Sequence, residues 1–218
     1  MKRVPTGVLG LDELMGGGLP ENSVTLLVGA TGTGKTVFAT QFAFEGALRG
    51  EKTIFAGFNE SAQELRESAN SFGFNPTPLE KKGKLLLFDC SAARAGAYPE
   101  GKGLKPHEEA ESAIMRECTA FKARQLVIDS FTPLAGERLR EQFHSLSRRM
   151  KLADLTVLVV AEPDCAPVHE ADNVIFLGCE DKPCLRILKL RGSLHSTRRH
   201  PYAITSSGFA VQRADFQF

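Results

Sequence analysis

Gly29-Ala30-Thr31-Gly32-Thr33-Gly34-Lys35-Thr36 lies between the apolar run Val24–Val28 and a long apolar stretch that reaches Leu48, and it constrains this chain more than any other feature. The pattern G-x-x-x-x-G-K-[ST] at a strand-to-helix junction is the signature of a phosphate-binding loop. Its glycines let the backbone curl so that successive N–H groups point at phosphate oxygens, and the helix N-terminus adds positive partial charge. Gly29, Ala30, Thr31, Gly32, Thr33 and Gly34 are therefore the expected cradle. Lys35 is expected to reach the β- and γ-phosphates, and the Thr36 hydroxyl to ligate Mg²⁺.

The rest of the chain alternates short apolar runs with amphipathic stretches, the pattern of a mostly parallel sheet with helices on its faces. After the loop, a helix is expected from about Gly34 to Leu48, then a strand over Thr53–Phe58. Ser61-Ala62-Gln63-Glu64 is a capping box that opens a helix to Phe72, with Ala62, Leu65, Ala69 and Phe72 on one face. A Pro- and Lys-rich turn leads to a strand at Leu85–Phe88, and Ser91–Pro106, rich in Gly, Ala and Lys, reads as a loop. A helix over His107–Lys122, a strand at Gln125–Ile128, a helix carrying Leu139, Phe143, Leu146 and Met150, and a strand at Thr156–Ala161 continue the alternation. Val174–Leu177, Leu185–Leu190, Tyr202–Thr205 and Phe209–Val211 then read as antiparallel hairpins. With no repeat or linker in between, residues 1–218 are expected to form one domain.

Composition removes several function classes. The longest uninterrupted apolar stretch, Val157–Ala161, is far short of a bilayer span, and the charged N-terminus carries no apolar leader, so the chain reads as soluble and cytoplasmic. Five cysteines, odd in number and without C-x-x-C, suggest neither a disulfide framework nor a zinc site. A net charge of +1 argues against a general polyanion binder. That sum hides an acidic segment, Glu162–Asp172, and a basic one, Lys182–His200.

An acid ending an apolar strand is the expected partner of the phosphate loop, and Leu126-Val127-Ile128-Asp129-Ser130 supplies it. Asp129 would hold the Mg²⁺ water shell with Ser130 near the γ-phosphate. Taken alone, an Asp in that place also suits a turn or helix cap.

The chain as a whole resembles the KaiC family of RecA-like ATPases. Thr6-Gly7, Gly10–Leu14, Gly16–Pro20, the phosphate loop, Phe58–Ser61, Val127–Pro133 and Lys189–His195 fall in family order and cover it nearly end to end. The resemblance implies an α/β, RecA-like P-loop NTPase with a mostly parallel twisted sheet and C-terminal antiparallel strands. It also implies ATP held with Mg²⁺ between the subunits of a hexameric ring. In the family the Lys and Arg of Lys189-Leu190-Arg191-Gly192 reach the γ-phosphate of the neighbouring subunit. Strand periodicity puts Lys189 and Arg191 on one face, and Arg binds phosphate bidentately, although an ordinary solvated edge strand has the same alternation. His195 falls in the same segment and is either a nucleotide contact or a surface histidine.

Two departures from the family bear on activity. The second strand of the family ends in two adjacent glutamates, the first resembling a general base; here the pair is Asn59 and Glu60. An amide positions water but accepts no proton at neutral pH. Hydrolysis is thus expected to be slow or to depend on Glu60, which serves equally well as the residue preceding the Ser61 cap. Where the clock protein carries its phosphorylated hydroxyls, this chain has Val168 and His169, which disfavours autokinase activity. The expected function is a slow ATPase whose nucleotide state is read by a signalling or regulatory protein. A non-hydrolysing ATP-binding scaffold is the alternative. A nucleic-acid motor is disfavoured because the loop after Ala161 is acidic and the basic segment has little aromatic interleaving.

Overall fold

The computed structural model describes residues 2–91, 106–131, 139–179 and 182–212. Two short strands, β1 (Arg3–Val4) and β2 (Leu19–Pro20), pair antiparallel around the one-turn helix α1 (Leu11–Leu14). Then follow β3 (Val24–Gly29), α2 (Lys35–Leu48), β4 (Thr53–Gly57), α3 (Ala62–Ser71), α4 (Thr77–Lys81) and β5 (Leu85–Asp89). The chain continues through α5 (Pro106–Phe121), β6 (Gln125–Asp129), α6 (Leu139–Leu152), β7 (Thr156–Ala161), β8 (Asn173–Cys179), β9 (Pro183–Leu190), β10 (Arg199–Thr205) and β11 (Gly208–Val211).

The large sheet has the order β11-β10-β9-β8-β3-β7-β6-β4-β5. From β8 to β5 all neighbours are parallel, and β9, β10 and β11 are added antiparallel. Successive residues of a strand point to opposite faces. Leu26 and Val28 accordingly pack with Ile114 of α5 and Phe143 and Met150 of α6, whereas Leu27 packs with Phe38 and Phe42 of α2. Helices cover both faces, so the strands read as unbroken apolar runs rather than alternating ones.

The expected α/β architecture and its hairpin end are present, with strand bounds differing by up to three residues. The α3 capping box is complete: Glu64 N–H donates to Ser61 Oγ, and Ser61 N–H donates to the Glu64 carboxylate. Leu65 and Ala69 are buried on its inner face. The Pro- and Lys-rich stretch is a correction. It contains a helical turn, α4, because Pro is tolerated in the first turn, where its missing N–H has no intrahelical partner. The loop expected over Ser91–Pro106 lies almost wholly outside the described residues, and α5 begins at Pro106.

Two buried positions generate stability predictions. A Cβ on Gly46 would lie 1.5 Å from Gln125 Oε1 and 2.9 Å from Thr53 Oγ1. Moving Gln125 away would break its bond from the Thr53 hydroxyl inside the core. Gly46→Ala is expected to lower unfolding free energy by about 1–3 kcal/mol in denaturant titrations. His200, 3% exposed, pairs through Nε2 with Ser196 Oγ at 2.7 Å. Burial, then the Arg198 charge, holds its pKa below the ordinary 6.5. The folded protein keeps the ring neutral, while the unfolded chain takes up a proton as pH falls through 6.5. Its stabilising contribution is therefore complete above that pH and is lost on acidification. Unfolding titrations at about pH 7.5 and about pH 5.5 should show a larger loss for wild type than for His200→Gln.

Candidate functional site: a phosphate loop facing a buried carboxylate

The parallel register carries the C-terminal ends of β3, β4, β6 and β7 to one edge. Gly57 pairs with Asp129, and Phe58 N–H donates to the Asp129 carbonyl at 2.8 Å. This brings Asn59 and Glu60 beside Asp129 and Ser130, and Asn59 Nδ2 lies 3.4 Å from Ser130 Oγ.

On β3 the chain turns through Gly29–Gly34 into α2. Gly32 and Gly34 have φ of 84° and 86°, the left-handed region that a side chain resists, so these two glycines are required by the curl itself. Lys35 Nζ donates to the carbonyls of Gly29 and Ala30 at 2.7 and 2.9 Å, and Thr33 Oγ1 donates to the Ala30 carbonyl at 2.8 Å. Burial lowers the Lys35 pKa against the opposing pull of Glu162 and Asp129.

Asp129 is 9% exposed and lies beside the Thr36 side chain. Burial raises its pKa, while Thr36 and then Lys35 oppose the rise. Glu60 is also raised, first by burial and then by the charges of Asp129 and Glu64, and its Oε2 is buried without a hydrogen-bond partner. Two carboxylates and a threonine hydroxyl beside a lysine-bearing anion loop are the hard oxygen donors that suit Mg²⁺ next to phosphate. The residues present thus fit both groups.

Of the residues expected from the sequence, Gly29 to Thr36, Asn59, Glu60, Asp129 and Ser130 meet at this edge. Lys189, Arg191 and His195 do not. Leu190 pairs with Asn173, which pairs with Thr25, so these residues lie near the start of β3 and about 13 Å along the strand from Gly29. The β9 bulge falls at Leu188, opposite the step from Val174 to Ile175, so the alternation from Lys189 through Leu190 is kept, and Arg191 lies just past β9. Both side chains turn to the segment before β8. Lys189 Nζ donates to the carbonyls of His169 and Ala171, and Arg191 sits 3.2 Å from the Asp172 carboxylate, which also receives Lys151. His195 Nδ1 lies 3.4 Å from the Ser193 carbonyl.

Two site residues escaped the sequence reading. Glu162, immediately after β7, accepts from Thr31 Oγ1 at 2.9 Å; an acid closing an apolar strand is the same signal that marked Asp129. Tyr202 donates to the Thr33 carbonyl at 2.8 Å, and no local pattern marks it.

The family model for the KaiC ATPase matches residues 4–215. The chain belongs to the KaiC ATPase family. A UPF0273 protein of Thermotoga maritima is 31% identical over 97% of this chain and 96% of its own length. A UPF0273 protein of Pyrococcus horikoshii is 31% identical over 96% of this chain and 94% of its own. The circadian clock oscillator protein KaiC of Thermosynechococcus vestitus is 32% identical over 94% of this chain, which spans 43% of that longer protein. Among solved structures, a KaiC-like protein of Pyrococcus horikoshii superposes with a TM-score of 0.84 at 31% identity, covering 97% of this chain and 99% of that one. The fold is RecA-like, and membership of the KaiC family makes the protein a nucleotide binder. Among the described residues no helix is long and apolar enough to cross a membrane.

Asp129 is expected to cost stability for the sake of binding, since its charge is buried beside that of Glu60. Asp129→Asn should leave the melting temperature unchanged or raise it, while Mg²⁺-dependent ATP affinity falls by about tenfold or more, as read by calorimetric titration with and without Mg²⁺.

Proposed function

We propose that this KaiC-family protein binds ATP with Mg²⁺ and hydrolyses it slowly at the interfaces of a hexameric ring, and that a signalling or regulatory protein reads its nucleotide state. The observation that carries the reading is the meeting of the Lys35 loop, the Thr36–Asp129 pair and the unpartnered Glu60 Oε2 at one sheet edge.

Lys35 balances the charge of the terminal phosphates, and the loop N–H groups hold them in place. Thr36 and Asp129 hold Mg²⁺, which when bound offsets negative charge on the phosphate oxygens. Asn59 orients a water through its amide, and Glu60 takes that water's proton as its oxygen adds to the γ-phosphorus and the bond to the ADP oxygen breaks. The raised Glu60 pKa makes it a better proton acceptor than an exposed carboxylate. Lys189 and Arg191, remote from their own loop, serve the nucleotide of the adjacent subunit, with His195 nearby. Asn59 gives the second reading its support: binding needs only the loop, the metal and the cations from the adjacent subunit, so an ATP-held scaffold without turnover uses the same residues.

Single-turnover phosphate release distinguishes the two. Under the ATPase reading, Glu60→Gln lowers the rate by about 10²-fold or more while ATP affinity stays within severalfold of wild type. Wild-type release no faster than the no-protein rate leaves the scaffold. Size measurement with and without ATP checks the ring, and a monomer in every nucleotide condition removes Lys189 and Arg191 from the site.

A further inference from the structure

The β10–β11 hairpin comes from the far end of the sequence, yet it packs directly against the phosphate loop. Tyr202, 7% exposed, stacks on Phe209 with ring centroids 4.4 Å apart, and Phe209 in turn meets Phe38 of α2 edge-on at 5.3 Å. Gln41 of α2 fixes the hairpin from the other side, accepting from Phe209 N–H at 2.7 Å and donating to the Gly7 carbonyl. Ile204 covers Gly34 so closely that a Cβ there would come 2.3 Å from Ile204 Cδ1. From this rigid platform the Tyr202 hydroxyl donates to the Thr33 carbonyl at 2.8 Å.

We infer that Tyr202 is a positioning residue that sets the orientation of the Thr33–Gly34 peptide, so that the Gly34 N–H is aimed at a nucleotide phosphate. A trans peptide is planar, with its C=O and N–H pointing in opposite directions. Holding the Thr33 oxygen outward therefore holds the Gly34 N–H inward. This peptide needs holding because it is followed by a glycine at φ 86°, where the barrier of a side chain to rotating the unit is absent. Lys35 and Thr33 restrain the Gly29 and Ala30 carbonyls at the start of the loop, and Tyr202 does the same at its end. The inference rests on the nucleotide-binding reading of the loop.

Tyr202→Phe keeps the stacked ring and removes only the hydroxyl. Calorimetric titration well below the melting temperature should show the Kd for ATP and for ADP rising about three- to tenfold, the scale of one lost hydrogen bond. A Kd within twofold of wild type overturns the inference while leaving nucleotide binding intact. A wild-type protein that binds neither nucleotide overturns the reading beneath it and the inference with it. A second measurement keeps the wild-type hydroxyl and does not depend on the folding of Tyr202→Phe. The chain has no tryptophan and two tyrosines, so in Tyr98→Phe all tyrosine emission comes from Tyr202. Its emission, excited beyond the adenine band, should change saturably as ATP is added. A tyrosine that only packs the hairpin would give no change, and that result overturns the inference.

Discussion

A loop that binds phosphate through its N–H groups must be held in shape by something else. Its own donors have to face the ligand, so the restraints fall on carbonyl oxygens and side chains. Here Lys35 and Thr33 hold the Gly29 and Ala30 carbonyls from within the loop, Glu162 holds Thr31 from the end of β7, and Tyr202 holds the Thr33 carbonyl from β10. Each outside restraint depends on a different part of the sheet. β7 must lie directly beside β3, and the antiparallel extension must bring β10 and β11 back over α2. The strand order is thus tied to the geometry of eight residues.

What was legible in the sequence follows the range of the interactions. The phosphate loop, the Ser61 capping box and the strand-ending Asp129 are short patterns whose chemistry is complete within a few residues. Their positions in the sequence implied their positions in space. Both faces of the parallel strands were readable because burial on two sides leaves an unbroken apolar run. Tyr202 is 169 positions from Thr33, and the signal for its role is a hydroxyl on a residue that is equally at home in any hairpin. Glu162 carries the mark of a strand-ending acid, but it lies among other acids in Glu162–Asp172, which dilutes that mark. The helical turn at Thr77–Lys81 was hidden by its prolines, which look like turn residues until their place at a helix start is fixed.

The opposite charges of the segments around Asp172 and Arg191 resolve into local pairs. Asp172, 6% exposed, accepts from Val24 N–H and receives both Lys151 and Arg191. A buried carboxylate with two cations remains compensated when one of them moves. On the proposed reading this leaves Arg191, on the exposed side of the pair, free to turn to an adjacent subunit's phosphate while Lys151 keeps Asp172 satisfied. Lys189 is tied to the same segment through the His169 and Ala171 carbonyls.

The replacement of the family's first glutamate by Asn59 also has an electrostatic side. Asp129 and Glu60 are already raised by burial, and Glu60 further by the charge of Asp129. A third carboxylate at position 59 would add repulsion to two groups that share little solvent, pushing all three toward protonation whenever no cation neutralises them. Asn59 keeps a polar group beside Ser130 without that charge. What is given up is a second proton acceptor. Any hydrolysis at this edge then depends on Glu60, whose unpartnered oxygen is held close to the same buried carboxylate that is proposed to bind the metal. Charge relief and catalytic power pull in opposite directions at this position, and the proposed slow hydrolysis would reconcile them.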